Sequence, residues 1–228
     1  YDSGKVGKIS EVKVWTNRPV WPQGIKMPDP DSGAKPSSLD WNLWLGPANK
    51  KPYTPNLHPF NWRGWWEYGT GALGDVGCHL IDIPFRTLGL KYPNDAECSV
   101  GSVYTRMWSA DYHPEGCPPS SLITINFDPT EKNKTSMRMT WMDGGIRPPH
   151  PEIIPPNADI GGPGSLNGVL MIGEKGIIST NINDSSPLTP KLYLYNGGTE
   201  FGPETEKMEE PEYGHQRKWV DACKAGFN

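Results

Sequence analysis

Three runs between positions 96 and 141 set the terms for this chain: residues 96–105, 121–127 and 135–141. Each is rich in Val, Ile, Thr and aromatic residues, and no helical periodicity separates them. Such residues suit a pleated, half-buried surface. Strands that follow one another without helices pair antiparallel, since a parallel pair needs a long crossover. Other segments extend the pattern. Residues 9–16 alternate apolar and polar side chains, the mark of a strand with one buried face. Residues 169–178 hold two apolar runs around Gly173-Glu174-Lys175-Gly176, a hairpin signal. Residues 128–133 read as a hairpin connection, residues 168–172 as a strand and residues 191–195 as a last short one. About seven strands and two longer helices predict an α+β, two-layer fold. Its centre is a large open, mainly antiparallel sheet with helices on one face. The other face is left for a ligand, a partner domain or another subunit.

Residues 71–86 read as one helix. At 3.6 residues per turn, Asp75, His79, Asp82 and Arg86 fall within about 60° of one another. Gly77, Leu80, Ile81, Pro84 and Leu88 gather on the opposite, core-facing side. Gly71 and Gly74 let the backbone turn tightly at its start. A carboxylate beside an imidazole is a proton-transfer pair, because the carboxylate can fix the ring tautomer and imidazoles change charge near neutral pH. A solvated face crossed by ion pairs is the plain alternative. A second amphipathic helix is predicted over 215–226, stopped by Gly226.

The remaining segments are long and rich in Gly and Pro, of which the chain has 26 and 25, yet it also holds 10 Trp. Disordered chains are poor in aromatics, so these are ordered loops pinned by aromatic side chains. Residues 17–38, with Pro19, Pro22, Pro28, Pro30 and Pro36, form one such loop, and residues 50–59 another. Residues 143–164 form a third, placed to lie over a pocket. Between the first two, residues 39–45 read as a short helix capped by Asp40 and stopped by Gly46-Pro47. Its Trp41, Trp44 and Leu45 share one core-facing side. In Asn61-Trp62-Arg63-Gly64-Trp65-Trp66, the three tryptophans offer a flat platform for a sugar ring, and Arg63 a grip on hydroxyls or a carboxylate. Stapling the loops to the core is the alternative role. Residues 204–212 are an acidic, solvated segment. His113, alone in the 108–119 link, reads as a solvated histidine.

With 22 basic and 26 acidic residues and no basic patch, nucleic acid is not an expected partner. No apolar run has the length of a membrane span. Cys78, Cys98, Cys117 and Cys223 contain no C-x-x-C pair, which argues against structural zinc. A Cys98–Cys117 disulfide is conceivable, but free thiols in a core are expected. The chain starts at Tyr1, without an initiator methionine or signal peptide, and stops just after a helical pattern. Both ends read as cut from a longer protein, which leaves the compartment open between cytoplasm and export.

The motif Gly-Asp75-Val-Gly-Cys-His79-Leu-Ile-Asp82, with the Gly4-x-x-Gly7-Lys-Ile start and the Gly173-Glu-Lys-Gly176 hairpin, resembles the C-terminal domain of the glucose–fructose oxidoreductase / inositol dehydrogenase (Gfo/Idh/MocA) family. The runs TNRPVWPQG, LDWNLWLGPA and WMDGGIRPP are similar to a bacterial subgroup of it, and the resemblance covers nearly the whole chain. It implies that residues 1–228 are the substrate and oligomerisation domain of an NAD(P)-dependent sugar or polyol oxidoreductase. NAD or NADP would be bound mainly by an N-terminal Rossmann domain absent from this chain, together with the family's E-K-P lysine. Asp75 and His79 match the family's catalytic D-x-x-x-H. Asp82 matches a recurrent acid that orients substrate or supports the site, and Arg63, Trp62, Trp65 and Trp66 join it as substrate-binding candidates. The sheet would mediate a homo-oligomer. This chain alone would be inactive, because the surface that positions nicotinamide is elsewhere.

Two other readings stay open. One is NAD-assisted glycoside hydrolysis or elimination, known in a branch of the same family. The other is a non-enzymatic carbohydrate-binding module built on Trp62, Trp65 and Trp66. Asp75, His79 and Asp82 could also hold zinc or manganese, but the family mechanism needs no metal.

Overall fold

The computed structural model describes residues 1–181, 190–201 and 213–226. The helices are α1 (Trp41–Leu45), α2 (Gly71–Leu80), α3 (Asp82–Leu88) and α4 (Gly214–Ala225). The strands are β1 (Ile9–Thr16), β2 (Asp95–Val100), β3 (Val103–Arg106), β4 (Ser109–Asp111), β5 (Ser121–Phe127), β6 (Met137–Met142), β7 (Asn167–Gly173), β8 (Gly176–Thr180), β9 (Lys191–Leu194) and β10 (Thr199–Phe201). Eight strands form one sheet in the order β10-β9-β8-β7-β1-β6-β5-β2, and β3 and β4 pair separately. Every pair in the large sheet is antiparallel except β1–β6. The expected α+β architecture is thus the one observed.

Helices α2 and α3 lie on one face. Leu80 and Leu88 enter a core with Val12 and Val14 of β1, Met137, Met139 and Trp141 of β6, and Val169 and Met171 of β7. Gly77, Leu80, Pro84 and Leu88 are buried and Ile81 is half-buried, as the helical pattern predicts. The single predicted helix is divided at Ile81. Pro84 has no N–H to donate to the Leu80 carbonyl, so one hydrogen bond of the ladder is missing there. The backbone stays helical, with Ile81 at φ −71° and ψ −26°, and the bonds from Ile81 N to Gly77 O and from Phe85 N to Ile81 O flank the gap.

The opposite face is not free as expected. The 143–164 loop folds across part of it, where Ile146, Ile153, Ile154, Ala158 and Ile160 pack on Trp15, Met142, Leu170, Ile177 and Tyr193. The 169–178 hairpin forms as predicted, with Ile172 opposite Ile177. The run 96–105 is broken into β2 and β3 at Gly101. Gly101 sits against Ser120 at this corner, where its N donates to the Ser120 carbonyl at 2.9 Å and an added Cβ would make the Ser120 hydroxyl rotate away.

The proline-rich segments are ordered around a second, aromatic core. Trp41, Leu45, Leu57 and Trp65 are buried together, and Trp41 stacks on Trp44 with ring centroids 4.6 Å apart. Asp40 caps α1 by accepting from Leu43 N at 3.0 Å, as its position predicts. Helix α4 ends before Gly226 at φ +75° and exposes Trp219. All four cysteines are thiols, so Cys98 and Cys117 are not bridged. Only Cys117 is buried; Cys78, Cys98 and Cys223 are exposed, contrary to the expected core thiols, because they sit on a helix surface, an edge strand and the unpacked α4. The acidic run 204–212 lies outside the described residues. Among those described, no helix is long and apolar enough to cross a membrane.

Candidate functional site

The site is built where the aromatic loops meet the start of α2. A short 3-10 turn, Asn61–Gly64, carries Trp62 and Arg63. It can sit there only because residue 64 is glycine: a Cβ would fall 1.9 Å from the Pro22 carbonyl oxygen. The chain then enters α2 through Gly71 at φ +61°, with the Cys117 side chain close behind it.

Arg63 is held on several sides. Its Nε donates to Asp75 Oδ1 at 3.0 Å and its Nη1 to the Phe60 carbonyl at 3.0 Å. The guanidinium lies 4.4 Å from the Phe60 ring centroid and 4.5 Å from that of Trp62, with Trp21 at 5.9 Å. Stacking and a carboxylate partner suit guanidinium, which is weakly hydrated and planar. Asp75 and Arg63 are both partly buried. His79 follows one turn later on the exposed side of α2 and has no hydrogen bond or ion pair among the described residues. The carboxylate of Asp75 is therefore directed to Arg63 and not to His79. Asp82 is exposed and lies 3.9 Å from Arg86, a surface pair of i,i+4 type worth little to stability. Among the described residues, no group of three His, Cys, Asp or Glu side chains is placed to hold a metal.

The expected flat platform of three tryptophans does not form. Trp65 is 1% exposed and belongs to the aromatic core, whereas Trp66 is 53% exposed. Consecutive residues point to opposite sides here because Trp65 N and Trp66 N are tied to different strands of chain, at Trp62 and Glu115. Trp62 is half-buried under Arg63. The carbohydrate-module reading loses its geometry with Trp65, while Trp66 remains available.

Trp66 lines a cleft of about 540 Å³ between the first turn of α2, the β2–β3 corner and the 111–119 segment. Thr70, Gly74, Tyr112 and His113 also line it. Its volume is in the range of small-molecule sites. His113 is half-buried, with Nδ1 3.9 Å from Glu115, and not simply solvated. Nothing in the local sequence marks this histidine, since the fold alone brings residues 111–119 to α2. At the floor, Cys117 is fully buried, and its thiol is pushed up to about 11, chiefly by burial and further by the Asp143 carboxylate. Asp143 itself accepts from Ser121 N at 2.6 Å, Ser121 Oγ at 2.7 Å and Trp141 Nε1 at 2.8 Å. That is a structural hub: the carboxylate is saturated and buried.

Gly69-Thr70-Gly71-Ala72-Leu73-Gly74 has the spacing G-x-G-x-x-G and opens α2, but it follows the 3-10 turn Asn61–Gly64 and not a strand, so it lacks the strand–turn–helix setting of a dinucleotide cradle.

Residues 8–100 match the family described as "Oxidoreductase family, C-terminal alpha/beta domain". No curated protein matches the chain. Among solved structures, an oxidoreductase from Sinorhizobium meliloti is similar at 13% identity and a TM-score of 0.39, over 90% of this chain and 39% of that one. The chain thus spans about two-fifths of that structure's length. The matched residues 8–100 run from β1 through α2 and α3 to β2, so the similarity to the C-terminal α/β domain of the Gfo/Idh/MocA oxidoreductase family covers the first strand and the helical layer of this chain.

Proposed function

We propose that this chain is the substrate-binding and catalytic C-terminal domain of an NAD(P)-dependent sugar or polyol oxidoreductase. The observation that carries the reading is the stripe on α2, a carboxylate fixed by Arg63 and an unengaged imidazole one turn on; the neighbouring cleft is lined by residues 70–74 at the start of the same helix and by neither Asp75 nor His79. This stripe lies inside the segment that matches the oxidoreductase family. Full-length protein would carry an N-terminal Rossmann domain, and NAD or NADP bound there would supply the hydride chemistry.

The chain's own residues then deal with the substrate. Oxidation of a secondary alcohol removes a hydride from carbon and a proton from oxygen. His79, exposed and without a competing partner, takes the hydroxyl proton as general base and returns it in the reverse direction. Asp75, fixed through Arg63, orients the neighbouring hydroxyl. Trp66, exposed and lining the cleft, stacks on an apolar sugar face, and Asp82 stands further along the same side of the helical stripe. Association into a homo-oligomer completes the reading.

The test uses full-length protein with NAD or NADP and a panel of sugars and polyols, following nicotinamide absorbance. One substrate should reduce the cofactor, and His79→Ala should lower kcat by about 10²- to 10⁴-fold with the circular dichroism spectrum unchanged. Unchanged turnover in His79→Ala rejects its role. Glycoside cleavage without net cofactor reduction would replace the dehydrogenase reading by the NAD-assisted glycosidase one.

A further inference from the structure

The cleft at the start of α2 carries charge of one sign. Two carboxylates line it, Asp111 and Asp143, and among the described residues no Lys or Arg does. Asp111, the last residue of β4, accepts from Thr105 N at 3.0 Å. The Thr105 hydrogen bonds hold its carboxyl below the usual carboxylate range, with smaller contributions from His113 and Arg106, so it is ionised at neutral pH. Arg106, the weakest of these influences, does not line the cleft. Asp143 lies at the floor. The groups that bind it, Ser121 N, Ser121 Oγ and Trp141 Nε1, are neutral donors and leave its charge uncancelled. That charge is felt inside the cleft: burial first, and then this carboxylate, keep the Cys117 thiol protonated. His113, the one base in the lining, faces a carboxylate of its own, with Nδ1 3.9 Å from Glu115.

Two aromatic rings stand at the same cleft, Trp66 at 53% exposure and Tyr112 at 83%. The face of such a ring is negative and attracts cations. A cleft with apolar walls and charge of one sign focuses the field on whatever enters it. An anion there meets two like charges and no basic side chain but His113. A neutral ligand gains nothing from the charges. A cation gains from both carboxylates and from both rings.

We propose that this cleft is a seat for a cationic amine, and that the substrate is an amino sugar or amino polyol whose ammonium group lies between Asp111 and the rings of Trp66 and Tyr112. The sugar or polyol part rests on the oxidoreductase reading; the charge preference rests on the cleft alone. The lining on α2 ends at Gly74, one residue short of Asp75. The amine therefore fixes which end of the substrate is anchored, and the reacting hydroxyl extends along α2 toward His79.

Full-length protein labelled with 5-fluorotryptophan is titrated at neutral pH with glucosamine, galactosamine and mannosamine, with their parent hexoses and with glucuronate. The Trp66 fluorine signal reads binding, and nicotinamide absorbance is followed with the same panel. At least one hexosamine should bind about tenfold or more tightly than its parent hexose, and glucuronate should bind more weakly than glucose. Asp111→Asn keeps an acceptor for Thr105 N and should bring that hexosamine and its hexose within about threefold of each other. Ser102→Lys puts an ammonium into the exposed lining and should lower hexosamine affinity by about tenfold with Tm unchanged. The absence of any hexosamine preference, glucuronate bound more tightly than glucosamine, or a preference unmoved by Asp111→Asn overturns the proposal. A neutral hexose oxidised without such a preference overturns it and leaves the dehydrogenase reading standing. A hexosamine preferred through Asp111 with no cofactor reduced by any of the panel upholds the seat and overturns the dehydrogenase reading.

Discussion

Arg63 reaches across twelve positions of sequence to Asp75, Nε to Oδ1 at 3.0 Å, with its guanidinium between the rings of Phe60 and Trp62. The pair joins the aromatic loop core to the first turns of α2. Arg63→Met keeps much of the stem packing and deletes both hydrogen bonds. It should cost about 1.5–3 kcal/mol, the range for hydrogen bonds to charged groups. Arg63→Lys should recover only part of this, because an ammonium cannot stack and donate in the same fork. Urea unfolding at constant m-value checks both.

The adjacent tryptophans should respond oppositely. Trp65→Ala empties a fully buried site and should cost about 3–5 kcal/mol. Trp66→Ala removes an exposed ring and should stay within about 0.5 kcal/mol of the parent. If Trp66 contacts substrate as proposed, that same change raises KM in the full-length protein while the unfolding midpoint stays put.

Cys117 and the other thiols should separate by reactivity and by pH. At neutral pH, iodoacetamide should modify Cys78, Cys98 and Cys223, and Cys117 only after unfolding, because the reactive thiolate is scarce there. The sign of the pH effect follows. The folded thiol ionises near 11 against an ordinary value of 9.0, so the folded state binds this proton more tightly than the unfolded one. Its contribution is fully present below pH 9.0 and is lost as pH rises toward 11. Cys117→Ala should flatten that part of the stability–pH curve, read from denaturant midpoints across the interval.

Asp143 is the third buried feature with a measurable consequence. Replacing it by Ala leaves Ser121 N, Ser121 Oγ and Trp141 Nε1 without their acceptor in the core. Stability should fall by about 3 kcal/mol or more, since each orphaned buried donor costs about 1–3 kcal/mol. Asp143→Asn keeps an acceptor and should lose less. Thermal unfolding of the two variants side by side measures the difference.

Much of this architecture could be read from local pattern. The 169–178 hairpin, the Asp40 cap and the apolar side of α2 and α3 are each decided within about ten residues, by period or by a single capping group. What escaped depends on distant chain. Nothing near Trp65 and Trp66 says which one is buried, because Glu115 and the loop core decide it. The same holds for the β2–β3 corner, set by Ser120 against Gly101, and for His113 at the cleft. Arg63 was legible as a functional residue type, but its commitment to Asp75 was not, since the contact is made through tertiary packing.

Strand β1 occupies the middle of the sheet, between β6 and β7, although it comes first among the strands. On the ribosome its apolar side chains emerge long before residues 137–173 exist to flank them. Both of its edges therefore stay unpaired until chain more than 120 positions later is made, and such long-range pairing is slow and leaves an exposed apolar strand in the meantime.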